Sequence, residues 1–135
     1  MGKPLEFRHH HGGISVPDLE ASIRWFAAVL DFEVERRFEI PAIPAKVAML
    51  RRGELRMELF EVPGAAPLPP QRREPNTDVH THGNKHVAFA VADVDSFAKE
   101  LRSRGADIVF VAHHPFGSTL FVRDNAGNLI EFVQE

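Results

Sequence analysis

The stretch His86-Val87-Ala88-Phe89-Ala90-Val91-Ala92-Asp93 carries a His, a Val five residues on and an Asp two beyond, and then a helical pattern begins. The same plan stands 75 residues earlier in His11-Gly12-Gly13-Ile14-Ser15-Val16-Pro17-Asp18. Toward the end of each copy an apolar run is interrupted by a carboxylate. These runs are Met57-Glu58-Leu59-Phe60 and Ile130-Glu131-Phe132-Val133, offset by 73 residues. A plan repeated with so little drift is the signature of one duplicated supersecondary unit. It yields two His and two Glu at equivalent places.

Around each marker the same order of elements can be read. A strand is expected over residues 7–16, with Gly12, Ile14 and Val16 on one face and His11, Gly13 and Ser15 on the other. Asp18 is a helix cap after rigid Pro17, and Leu19, Ile23, Phe26, Ala27 and Leu30 form an amphipathic stripe. Strands over 33–38, 46–51 and 55–62 follow, with a turn at Arg52-Gly53-Glu54. In the second copy Val87, Phe89 and Val91 face one way, and His86, Ala88 and Ala90 the other. Asp93 caps a helix with the stripe Val94, Phe97, Ala98 and Leu101, and Gly105 ends it. Strands over 107–111, 118–122 and 128–133 complete the unit, with a turn at residues 124–128.

The expected fold class is therefore α+β. Two βαβββ modules occupy residues 7–62 and 84–135, and their mixed sheets curl into a cup around a metal site. Residues 63–83, with Pro63, Pro67, Pro69, Pro70 and Pro75, read as an extended, exposed linker.

Composition limits the chemistry. At 135 residues with 44% apolar content the chain suits one compact domain, or two small modules sharing a core. A formal net charge of -3 with few basic clusters argues against nucleic acid as the main partner. No stretch approaches a membrane span, and the lack of an apolar leader makes a cytoplasmic location the expectation. Without cysteine, any metal must take nitrogen and oxygen ligands.

Two neutral imidazoles and two carboxylates, His11, Glu58, His86 and Glu131, form such an N/O set for a divalent first-row ion. Taken singly, a His at a strand start or a Glu on a short strand is an ordinary polar residue. At equivalent positions of a repeat the four support one another. A carboxylate turned into a cup without a cation would also be expensive.

The chain resembles the vicinal oxygen chelate superfamily, which includes glyoxalase I, methylmalonyl-CoA epimerase, extradiol dioxygenases, fosfomycin-resistance enzymes and bleomycin-binding proteins. The likeness runs from His11-Gly-Gly-Ile-Ser-Val-Pro-Asp-Leu-Glu through Val29-Leu30-Asp31-Phe32 to the segment Phe121–Glu131, with Asp31 where the family usually has Gly. It implies metal ligands at His11, Glu58, His86 and Glu131, with Ni, Co, Mn, Zn or Fe(II) as the ion. It also implies a homodimer acting on a small molecule held through neighbouring oxygens. The reaction expected first is a lyase or isomerase step, glyoxalase I-like or epimerase-like, with Glu58 or Glu131 as the catalytic base next to a carbonyl.

One alternative is an Fe(II)-dependent dioxygenase or oxygenase on a bulky aromatic substrate, with His80, His82, His113 or His114 as acid or base. Against it, the chain has no Tyr, and Thr119-Leu120-Phe121-Val122 stands where extradiol members place one near the metal. A second alternative is a ligand-binding resistance protein. Ser15 stands where glyoxalase I relatives commonly show an Arg for glutathione, and the loop over residues 40–45 is apolar. Arg36, Arg37, Arg51, Arg56, Arg72 and Arg73 are candidate contacts for an anionic group. Met49, Phe60, Phe116 and Phe121 are candidate cavity walls, and Gly13, Ser15, Ala88 and Ala90 leave room in the cup. The sequence leaves open whether a site uses one chain or two.

Overall fold

The computed structural model describes residues 2–135. The chain runs β1 (Gly12–Ser15), α1 (Leu19–Leu30), β2 (Glu33–Ile40), β3 (Ala45–Arg52) and β4 (Leu55–Glu61). After a short α2 (Pro75–Asp78) it repeats as β5 (Val87–Val91), α3 (Val94–Ser103), β6 (Asp107–His114), β7 (Gly117–Arg123) and β8 (Leu129–Gln134). Each half forms a four-stranded mixed sheet, in the orders β1-β4-β3-β2 and β5-β8-β7-β6. The first strand lies parallel to the last in both halves, and the remaining pairs are antiparallel. Even the irregularities repeat, with a bulge between Val34 and Arg36 on β2 and another between Ile108 and Phe110 on β6.

The helices begin where the sequence says they should. Asp18 Oδ1 accepts from the Ala21 N–H at 3.1 Å, and Asp93 Oδ1 from the Ser96 N–H at 3.0 Å. A second, unforeseen cap repeats as well. Glu61 Oε1 accepts from the Leu19 N–H at 2.9 Å, and Gln134 Oε1 from the Val94 N–H at 3.0 Å. The last strand of each module thus reaches back to satisfy an orphan donor at its helix start. At the other ends the chain turns through positive φ, at Gly105 (80°) and at Asp31 (60°). A side chain in that conformation costs roughly 1 kcal/mol relative to glycine. Arg104, just past the end of α3, braces that turn: it donates to Asp31 Oδ1 at 2.9 Å and to the Val29 carbonyl at 3.3 Å.

One core serves both modules. Phe26, Leu50, Met57 and Leu59 from the first and Leu101, Leu120, Val122 and Ile130 from the second are almost wholly buried in a single cluster. Aromatic rings carry it across the boundary, with Phe26 edge-on to Phe32, Phe32 at 6.3 Å from Phe89, and Phe89 at 5.8 Å from Phe132. The helix-facing residues of the sheets, Ala48, Leu50, Leu120 and Val122 among them, belong to this core. The opposite faces are left for chemistry.

Two expectations change. The first strand is four residues long, because its ladder with β4 spans only Gly12↔Met57 to Ser15↔Phe60. The ladder pairing stops at Gly12, and Leu5 and Phe7 stand exposed. The segment between the modules is not simply extended. It forms a tight turn at Pro70–Arg73 and then α2, with Pro75 and Asp78 buried. Asp78 draws it in: its Oδ1 lies 3.0 Å from Arg72 Nε and 3.2 Å from Lys85 Nζ, and that ammonium also donates to the Asp78 carbonyl. Arg123 of β7 ties down the same segment through the Arg73 carbonyl, at 2.7 Å. The linker is thereby fastened to the second module just ahead of His86.

Burial alone would push the Asp78 carboxyl up, but Arg72 and Lys85 together hold it below its ordinary value. A depressed pKa contributes stability that is present above the ordinary carboxylate range and is lost as pH falls through the folded-state value. Asp78→Asn should therefore be less stable than the wild type at neutral pH, by about 1–3 kcal/mol, because its former partners are exposed enough to find water. The two proteins should converge in acid, as read by urea unfolding at several pH values. Phe26→Ala, at the centre of the core, should cost about 3–5 kcal/mol at any pH in the same assay.

Candidate active site

Strand alternation places one row of each sheet on the face away from the helices. In the second sheet that row is Ala88 on β5, Glu131 on β8 and Phe121 on β7, because Ala88↔Glu131 and Phe121↔Glu131 are register partners. In the first it is Gly13 on β1, Glu58 on β4 and Met49 on β3. His11 and His86 each stand two residues before the small residue paired with the Glu. The parallel ladder therefore brings each imidazole to its carboxylate, with His11 Nε2 at 3.3 Å from Glu58 Oε1 and His86 Nε2 at 3.1 Å from Glu131 Oε1.

The four expected ligands thus form two pairs. The structure does not bring the pairs together: among the described residues no group of three or more His, Asp or Glu converges. Within one chain the cup does not close around a four-residue centre. Both pairs are partly open to solvent, the Glu58 and Glu131 side chains being 16% and 20% exposed.

The surroundings of the pairs differ. Thr119 Oγ1 donates to Glu131 Oε2 at 2.6 Å, and the Phe121 ring meets the His86 ring edge-on at 4.9 Å. In the first module the brace falls on the imidazole instead, with His10 Nδ1 at 2.7 Å from His11 Nδ1. Thr119 was not among the candidate site residues. The signal for it lay in the hairpin register, since the turn at residues 124–128 places Thr119 on the same face as Glu131. That turn is itself held by Asp124, whose Oδ1 accepts from the Ala126 and Asn128 N–H groups at 2.9 and 2.8 Å.

Several other candidates have structural roles. His113 is bound at both nitrogens, by Asp95 at 3.1 Å and Ser118 at 2.8 Å, and His114 stacks on Phe116. His80 and His82 are exposed beyond α2. Phe116 is 87% exposed at the β6–β7 turn and walls no cavity, whereas Phe121 is buried against His86. Arg37 pairs with Glu20, Arg56 and Arg51 with Glu35, and Arg72 with Asp78. Arg36 lies 4.7 Å over the Phe38 ring on the same face as Glu58. A cleft of about 510 Å3 runs between the first strands of the two modules, from Gly12, Gly13 and Ser15 to Lys85 and His86.

The class defined by this arrangement is a paired βαβββ protein with a His–Glu pair on the open face of each sheet. The sequence matches the model of the Glyoxalase/Bleomycin resistance protein/Dioxygenase superfamily over residues 8–132, and the chain belongs to that superfamily. It is 34% identical over 118 residues to a 2-epi-5-epi-valiolone epimerase from Actinomyces, an alignment covering 76% of this chain and 62% of that protein. The chain thus spans less than two thirds of that relative. The trypanothione-dependent glyoxalase I of Leishmania major is 25% identical with a TM-score of 0.71, over 96% of this chain and 88% of that one. A glyoxalase family protein from Enterococcus faecalis shares the fold with a TM-score of 0.79 at 21% identity, over 94% and 97% of the two chains.

Proposed function

We propose that this protein is a metal-dependent isomerase or lyase that moves a proton next to a carbonyl, and that two copies of the chain complete each site. The observation that carries the proposal is the pair of His–Glu contacts at 3.3 and 3.1 Å on equivalent positions of the repeat. Two ligand atoms at right angles on bonds of about 2.1 Å stand about 3.0 Å apart, so each pair is spaced like one edge of an octahedral site. The donor set fits a divalent first-row ion: imidazole nitrogen and carboxylate oxygen, with the two carboxylates balancing its charge. His11, Glu58, His86 and Glu131 would hold it. When bound, such an ion polarises the carbonyl and stabilises the negative charge that proton removal creates.

The chain's own residues supply the rest. One of the two carboxylates takes the proton from the carbon beside the carbonyl, as the C–H bonding pair moves toward the carbonyl oxygen. The same group, now a neutral acid, returns the proton and recovers its charge.

A twofold arrangement that sets the first module of one copy against the second module of the other would bring four ligands together twice. The separation of the pairs within one chain favours that arrangement, as do the exposed Leu5, Phe7, Ile43 and Phe116 side chains. The name of the Actinomyces relative supports an epimerase-type reaction.

Subunit mixing tests the shared site. His11→Ala/Glu58→Ala and His86→Ala/Glu131→Ala chains should each bind no nickel or cobalt tightly. Mixed and re-annealed, they should recover one ion per heterodimer, because only that pairing rebuilds one intact site. No recovery from folded, associated mixtures would exclude the shared arrangement. For the reaction class, protein purified without oxygen and loaded with nickel or cobalt is assayed in D2O. The substrates are a methylglyoxal thiohemiacetal, an acyl-CoA and 2-epi-5-epi-valiolone. Deuterium incorporation beside the carbonyl, independent of oxygen, is expected with one of them. Tightly bound iron with oxygen uptake on an aromatic substrate would replace this reading with an oxygenase.

A further inference from the structure

We propose that Thr119 is a positioning residue that fixes Glu131 as the stationary carboxylate of the site, leaving Glu58 as the one that turns and acts as the base. The proposal rests on the shared metal site argued above and assigns different roles to two residues that the repeat makes formally alike.

The two half-sites differ in what holds each carboxylate. Both oxygens of Glu131 are committed: Oε1 faces His86 Nε2 at 3.1 Å, and Oε2 accepts from Thr119 Oγ1 at 2.6 Å. That second distance is in the short range of hydroxyl-to-carboxylate bonds, roughly twice as strong as neutral ones. Thr119 stands on β7 opposite Val133, one register step along the same face from the Phe121–Glu131 pair. The corresponding step in the first sheet is Val47 opposite Phe60, beside the Met49–Glu58 pair. The place of the hydroxyl is thus filled by a buried Val47, which offers no hydrogen bond. Among the described residues, Glu58 has its contact with His11 and no donor of the Thr119 kind.

Exposure does not separate the two carboxylates, which are 16% and 20% open to solvent. The hydroxyl does, and the neighbouring side chain acts in the same direction. The Phe121 ring, largely buried, packs against His86 on the Glu131 side, whereas flexible, half-buried Met49 occupies the equivalent place beside Glu58. A carboxylate that serves as base must turn toward the substrate. For Glu131 that turn breaks the bond to Thr119 as well as the contact with His86; for Glu58 it breaks only the contact with His11. Partners of this kind, one bond removed from a metal ligand, orient the ligand and tune its hold on the ion.

Co(II) alone is the probe, with affinity read by competition and geometry by visible absorption. Thr119→Val, nearly isosteric, should weaken Co(II) binding about 10–100-fold and shift the absorption bands, and Thr119→Ser should restore both. Glu131→Gln should lose more affinity than Glu58→Gln. Val47→Thr, which leaves Thr119 intact and places a hydroxyl beside Glu58, should tighten Co(II) binding, so the proposal stands or falls even where Thr119→Val does not fold. Wild-type affinity and bands in Thr119→Val, or a loss in Glu58→Gln as large as in Glu131→Gln, would overturn the assignment while leaving the metal site standing. A wild-type protein that takes up no Co(II) would overturn the metal site, and this assignment with it.

Discussion

The parallel pairing of the first strand with the last strand is the constraint from which each module is built. Parallel neighbours cannot be joined by a tight turn, so a long connection, here a helix and two further strands, lies between them. The register of that ladder then does two things at once. It sets Gly13 opposite Glu58 and Ala88 opposite Glu131, which brings the preceding His to the carboxylate. Three residues further along the same strands, it delivers Glu61 and Gln134 to the first N–H groups of α1 and α3. A helix start and a reactive pair are thus fixed by one strand, and a shift in its register would lose both. The alternation of that strand also explains why the core and the site do not compete. Leu59 and Ile130 point under the helices, while Glu58 and Glu131 point away.

Much of this was legible because the repeat writes it twice. The Asp caps, the apolar stripes and the His–Glu offsets are local signals, and duplication turned weak local signals into a fold. The four metal-ligand candidates were legible for the same reason. What the sequence concealed depends on contacts between distant segments. Residues 63–83 looked like an exposed spacer because of their prolines, yet Asp78 lies inside a clamp of Arg72 and Lys85 that no periodicity announces. The strand read over residues 7–16 shortened to four residues because its ladder with β4 stops at Gly12↔Met57, a relation between distant segments that local sequence does not carry. Thr119 entered the sequence reading only as one residue of the Tyr-free strand Thr119-Leu120-Phe121-Val122. Its role follows from hairpin register, a relation between two strands.

Duplication has also left room for divergence. The open face of the first sheet carries Arg36, Phe38, Met49 and Phe60 around its pair, and Arg36 has a ring beneath it in place of a carboxylate partner. The open face of the second carries the apolar Phe110, Ala112, Phe121 and Val133 in the matching places. The scaffold is common to both halves, while the walls differ in charge and bulk.

The partial exposure of the two carboxylates bears on how association and metal binding are connected. In a single chain, Glu58 and Glu131 both keep part of their hydration. On the shared-site reading, setting a second copy against these faces removes that water, and two carboxylates within one closed site would then repel each other and lose solvation together. A divalent ion reverses the sign of both effects. Metal binding and association are therefore expected to favour each other, since anything that binds the assembled state alone stabilises it by mass action. On that view the open pairs of the single chain are two halves of one electrostatic balance. Each is tolerable alone, and neither is stable face to face until a cation joins them.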